Sequence, residues 1–66
     1  MSSAFVRENG GMQQVFGSRE SAESAAEIQR AMEGRDYDFE VRERERGGYM
    51  VARLRKDGTF ESWVED

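Results

Sequence analysis

The chain of 66 residues has no cysteine and no histidine. Without Cys, disulfide staples and thiolate zinc binding are excluded. Without His, the commonest general base and the commonest transition-metal ligand are gone. No apolar run approaches the ~20 residues of a membrane-spanning helix. The start, Met1-Ser2-Ser3-Ala4-Phe5, lacks a basic region followed by an apolar stretch, so no secretory signal is expected and the expected compartment is the cytoplasm. Asn9-Gly10-Gly11 is a lone glycine turn with no helix after it, unlike a phosphate loop. The scattered acids lack the spacing of a calcium-binding EF-hand. Asp36, Asp38 and Glu40 sit at strand spacing, but nothing in the sequence suggests a pocket that would separate their pKa values for acid–base work. The expectation is a protein that is not an enzyme and carries no cofactor, metal or catalytic residues.

Charge is abundant. Acidic residues number 14 and basic residues 10, a net of −4, and charged residues make up 36% of the chain. A net-acidic chain binds nucleic acid poorly unless its basic residues are segregated. One short domain, residues 1–66, is expected, with residues 1–3 loose at the end. A domain this size buries a modest fraction of its surface, so packing must be efficient or a partner must help.

The stretch from Tyr37 to Val64 organises the rest. It reads as three strands joined by two tight turns. Gly47-Gly48 suits a two-residue type I′ loop, whose central positions both need positive φ. That loop pairs Arg46 with Tyr49, Arg44 with Val51 and Arg42 with Arg53, and sets Val41 opposite Leu54. The second turn reads as a type I turn at Lys56-Asp57 with Gly58 as a left-handed bulge residue. It pairs Leu54 with Phe60, Ala52 with Ser62, Met50 with Val64, Arg53 with Glu61 and Val51 with Trp63. One face then carries Tyr37, Phe39, Val41, Met50, Ala52, Leu54, Phe60 and Val64, the predicted core. The other carries Arg42, Arg44, Arg46, Tyr49, Val51, Arg53, Arg55, Glu61 and Trp63.

Upstream, Ala4 to Arg7 and Met12 to Phe16 are short strand candidates around the Asn9-Gly10-Gly11 turn. Gly17-Ser18 marks the change to a helix. Ser18 is the expected N-cap, the helix runs to about Glu33, and Gly34 suits the C′ position. Ala22, Ala25, Ile28, Gln29 and Met32 follow helical spacing and form the predicted buried stripe. Glu20, Glu23 and Glu27 fall on the opposite side. The order is ββαβββ with a C-terminal three-strand meander. One amphipathic helix must cover one face of an antiparallel sheet, which predicts a two-layer α+β domain.

Two surfaces are candidates for function. The first is partner-binding: Arg42, Arg44, Arg46, Tyr49, Val51, Arg53 and Trp63 on the sheet face without a helix. Arginine forks onto carboxylates or phosphates, and Trp and Tyr anchor binding hot spots. The plain alternative is that these are solvated strand arginines paired with Glu40 and Glu61. Phe5, on the N-terminal arm, is the donor within the chain that could cover Trp63. The second surface is acidic: Glu20, Glu23 and Glu27 could imitate a line of phosphates. The plain alternative is helix-dipole complementation near an N-terminus.

The run Val15-Phe16-Gly17-Ser18-Arg19-Glu20-Ser21-Ala22-Glu23, then Tyr37 and Gly47-Gly48-Tyr49-Met50-Val51, resembles half of a SPOR-type peptidoglycan-binding domain. The likeness spans about residues 12–54 and rests on a βαββ pattern. It implies glycan binding outside the cytoplasm, and the second helix of such domains has no counterpart here. In size, acidity and lack of cofactor the chain is also similar to small phage-encoded inhibitors, the anti-CRISPR and anti-restriction proteins. The expected function is therefore non-catalytic binding of a protein partner by steric and electrostatic occlusion of a nucleic-acid-handling system. The alternatives are nucleic-acid or glycan binding on the arginine–aromatic face, or a homodimer or larger homo-oligomer that hides that face. No membrane partner is expected.

Overall fold

The computed structural model describes residues 3–8 and 11–64, with side chains from Gln14 to Val64. The elements are β1 (Ser3–Glu8), β2 (Gly11–Phe16), α1 (Arg19–Glu33), β3 (Tyr37–Glu43), β4 (Tyr49–Arg55) and β5 (Phe60–Trp63). The ββαβββ order and the two-layer α+β class are those expected. Ser3, expected to be loose, opens β1. Gly11, expected in the turn, opens β2. Asn9, Gly10 and the Phe5 side chain lie outside what is described.

The sheet is antiparallel, with strand order β1-β2-β4-β3 and β5 also paired to β4. β4 is its centre. One edge of β4 carries β3 along its length. The other edge is shared: Tyr49 pairs with Phe16 of β2, and Ala52 to Leu54 pair with β5.

The helix starts where Ser18 leaves extended backbone, at φ −143° and ψ 156°, and its Oγ accepts the Ser21 N–H at 3.2 Å. That satisfies one of the amides the first turn leaves without a partner. At the other end Gly34 stays in the right-handed region, at φ −63°, and donates its N–H to the Arg30 carbonyl. It is therefore not the left-handed C′ glycine that the sequence suggests. The chain turns instead through an Asp36 N–H to Glu33 carbonyl bond of 3.0 Å.

The buried helix positions are Ala22, Ala26 and Gln29. Ala25 packs partly against them, while Ile28 and Met32 stay 60% and 70% exposed. The predicted stripe is thus rotated, with Ala26 taking the centre. Two alanines with no exposed surface let α1 lie close over Phe16, Phe39, Val51 and Val64. Burying a side chain such as Val51 or Phe39 contributes about 1.5–3 kcal/mol.

The largest departure is in the β3–β4 register. Tyr37 pairs with Arg55, Phe39 with Arg53, Val41 with Val51 and Glu43 with Tyr49. Arg44 donates its N–H to the Gly48 carbonyl, and Gly47 donates to the Arg44 carbonyl. The loop is therefore Glu45-Arg46-Gly47, a type I turn closed by a left-handed Gly47 at φ 99°. Relative to the two-residue loop, the pairing moves by three residues. An odd slip turns every side chain of one strand to the other face. Val51, expected on the uncovered face, is wholly buried under the helix. Met50, Ala52, Leu54 and Phe60, expected under the helix, lie on the other face.

The second turn is as expected. Arg55 bonds Thr59 and Gly58 bonds Arg55 around Lys56-Asp57-Gly58, and Leu54 pairs with Phe60. Then Glu61 is inserted, so Arg53 meets Ser62 and Ala52 meets Trp63. This bulge returns Val64 to the helix side, where its N–H bonds the Val51 carbonyl at 2.9 Å. It leaves Trp63 beside Ala52 and not beside Val51.

Candidate functional site

The seven residues expected on one binding face are divided by this register. Val51 is core. Tyr49 and Arg53 share the helix side of β4 with it. Arg42 and Trp63 belong to the other side, Arg44 bonds across the loop to the Gly47 carbonyl at 3.2 Å, and Arg46 is exposed in the loop.

Arg53 is the most engaged of them. Its Nε donates to Glu33 Oε1 at 3.1 Å, and its Nη1 donates to Ser62 Oγ at 2.7 Å. Its guanidinium also lies 5.6 Å and 5.7 Å from the Tyr37 and Phe39 ring centres. It ties the end of α1 to β5 across β4. The same exhaustion by neighbours holds on the surface. Arg42 pairs with Glu40 at 2.9 Å, Arg55 with Glu61 at 2.6 Å, and Lys56 with Asp38 at 2.9 Å. Arg19 stands over the Tyr49 ring at 5.3 Å and within 3.8 Å of Glu23. The acidic helix face is likewise shared: Glu20, Glu23 and Glu27 are all exposed, but Glu23 faces Arg19 and Glu27 pairs with Arg30 at 3.0 Å.

Among the described residues, no group of three or more acids assembles as a metal site. Asp38 and Glu40 share a strand face and are each held by a basic side chain. Asp57 lies below the ordinary aspartate value because the Thr59 hydroxyl and then the Thr59 N–H donate to it, at 2.7 and 2.9 Å. That contact closes a turn and marks no reactive group.

What the structure assembles, and the sequence does not announce, is an open groove of about 310 Å³ between the second half of α1 and β5. Gln29, Met32 and Glu33 line it from the helix, Arg53 from β4, Ser62 and Trp63 from β5, and Val64 from just beyond it. It runs along the outer edge of β5, which pairs only with β4 among the described residues. Ile28 extends the Met32 flank one helical turn back. Phe60, 42% exposed, continues from Trp63 with ring centres 5.0 Å apart. Trp63 is the one partner-binding candidate from the sequence that borders this patch without being held in an ion pair.

No family model matches the chain, and no match is found among curated proteins or solved structures. The SPOR-type likeness therefore stays one of element order. No helix among the described residues is long and apolar enough to cross a membrane.

Proposed function

We propose that the protein is a non-catalytic binding module whose partner is another protein, held at the α1–β5 edge. The observation that carries this reading is the exposed apolar pair Ile28 and Met32, one helical turn apart, on the α1 wall of the groove that Met32, Trp63 and Val64 line. Apolar surface left in water forgoes roughly 25 cal/mol per Å² of burial. Neighbouring apolar side chains left so beside a groove, unlike scattered single residues, point to an interaction surface. The net charge of −4 favours a partner with basic surroundings. We assign the mode of action as occlusion of a component of a nucleic-acid-handling system, in the manner of phage inhibitors. The exposed Glu20, with Glu23 and Glu27, supports the approach to such a partner more than the contact itself. Direct nucleic-acid binding by the arginines gains little support, because most of them are already committed to carboxylates.

The test is a pull-down from the source cell with the wild type and with Ile28→Asp/Met32→Asp. Both positions are exposed, so the double variant should keep its thermal midpoint and lose the partner. Equal retention by the two proteins would sink this reading.

A further inference from the structure

We propose that the protein pairs with a second copy of itself along the outer edge of β3, antiparallel and in one register centred on Val41. This goes beyond the protein-binding reading above. It uses the opposite edge of the sheet from the α1–β5 groove.

β3 ends the sheet on its side. The Arg44 N–H bonds Gly48 across the loop, so the even-numbered residues of β3 aim their N–H and C=O groups at β4. Tyr37, Phe39, Val41 and Glu43 aim theirs outward. Sheet edges are commonly blunted by short strands, bulges, Pro or Lys. β3 has seven residues, contains neither Pro nor Lys, and pairs with β4 without a shift in register. Among the described residues α1 reaches this edge where the Phe39 carbonyl accepts from Arg30 Nη2 at 2.9 Å. A carbonyl has a second lone pair, and the bonds at Val41 do not involve it.

Charge selects the occupant. Asp38, Glu40 and Arg42 are exposed on the face of β3 away from the helix. They oppose most strands that could add here, because like charges set directly opposite destabilise a pair. When two β3 strands pair antiparallel, outward-aimed residues must meet outward-aimed residues, so the two-fold axis passes through a residue and not between two. An axis at Phe39 sets Asp38 against Glu40. Axes at Glu40 and at Arg42 set each of those against its own copy, and an axis at Glu43 sets Arg42 against Arg44. An axis at Val41 sets Glu40 against Arg42 of the second copy, twice, in closely spaced pairs without hydrogen bonds. The two Val41 residues then exchange both backbone bonds. Their half-buried side chains meet on the helix side, where each already packs against the core. A single strand edge is smaller than the about 800 Å² per partner of a standard interface, so the dimer forms as concentration rises and parts on dilution.

The experiment is sedimentation equilibrium over a range of protein concentrations, with two charge reversals and their mixture. The wild type should pass from monomer to dimer. Glu40→Arg sets arginine against arginine in this register, and Arg42→Glu sets glutamate against glutamate. Each alone should weaken self-association about tenfold or more. Both positions are exposed, so the thermal midpoint of the dilute monomer should hold. Mixed in equal amounts, the two variants should form a one-to-one heterodimer, because each supplies the charge that the other now faces. The swap Glu40→Arg/Arg42→Glu should dimerise like the wild type. A wild type that stays monomeric at every concentration overturns the inference. So does a dimer that both single reversals keep, or one that neither the mixture nor the swap restores. A dimer that Met32→Asp dissociates and the edge reversals leave intact places the second copy in the groove and also overturns it. Loss of the cellular partner by Ile28→Asp/Met32→Asp is read separately, so either reading can fail while the other stands.

Discussion

The two hairpins that share β4 are closed by the same device from different sequences. In each, a residue bonds the one four positions on, a type I turn fills the middle, and a glycine at positive φ completes the loop: Glu45-Arg46-Gly47 in one, Lys56-Asp57-Gly58 in the other. The difference lies in the residue after the glycine. After Gly58 comes Thr59, whose N–H and hydroxyl both donate to Asp57. After Gly47 comes a second glycine, and it serves the packing of β2. A Cβ on Gly48 would stand 2.5 Å from Val15 Cγ1 and 3.2 Å from the Phe16 carbonyl, whereas one on Gly47 or Gly58 would meet nothing within 4 Å. A glycine pair can thus be one turn residue and one contact residue, which is a different object from a two-residue turn.

This contrast is open to breakage. Gly48→Ala should have the largest effect, about 2–4 kcal/mol in urea unfolding, because a left-handed backbone and a collision with β2 combine. Val51→Ala should come next at about 2–3 kcal/mol, since the β3–β4 loop places that side chain wholly inside. A loss near zero would return Val51 to the surface and restore the two-residue loop. Gly47→Ala and Gly58→Ala should be close to each other at about 1–2 kcal/mol, carrying the backbone cost alone. Unequal values would mean the two loops are not alike.

The smallest effect concerns the Asp57 contact that only the second loop has. The folded pKa of Asp57 is lowered from 3.8, so its contribution is complete above that value and is lost as pH falls through the lower folded one. Between about pH 5 and about pH 2, the thermal midpoint of Asp57→Asn should fall slightly less than that of the wild type. Parallel curves would remove the contact from the account.

The second loop is legible in the sequence because its apolar neighbours discriminate between registers: only the bulged reading sets Leu54 opposite Phe60. The first is not, because Tyr49-Met50-Val51-Ala52 is apolar at four consecutive positions and either parity gives β4 a plausible core face. The helix start is readable from Ser18, and its end falls at Glu33 as expected although Gly34 does not take the left-handed conformation that pointed to it. The helix rotation is not, because Ile28 and Met32 outweigh alanines in any apolar count, while the close approach to Phe39 and Val51 selects Ala22 and Ala26. The groove leaves no local signal, since it joins residues of α1 and β5 about thirty positions apart. Trp63 has a different neighbour from the one expected but lies on the expected side of the sheet, because the three-residue slip and the Glu61 bulge offset each other there.

All placements of the candidate residues depend on the β3–β4 register, and interproton contacts across that ladder measure it directly. Because the Arg44 N–H bonds Gly48, the closely spaced pairs without hydrogen bonds are Glu43–Tyr49, Val41–Val51 and Phe39–Arg53. The predicted result is a strong Hα–Hα nuclear Overhauser contact between Val41 and Val51, with a second between Phe39 and Arg53. Contacts between Val41 and Leu54 and between Glu43 and Ala52 would instead contradict the account, since they belong to the two-residue Gly47-Gly48 loop.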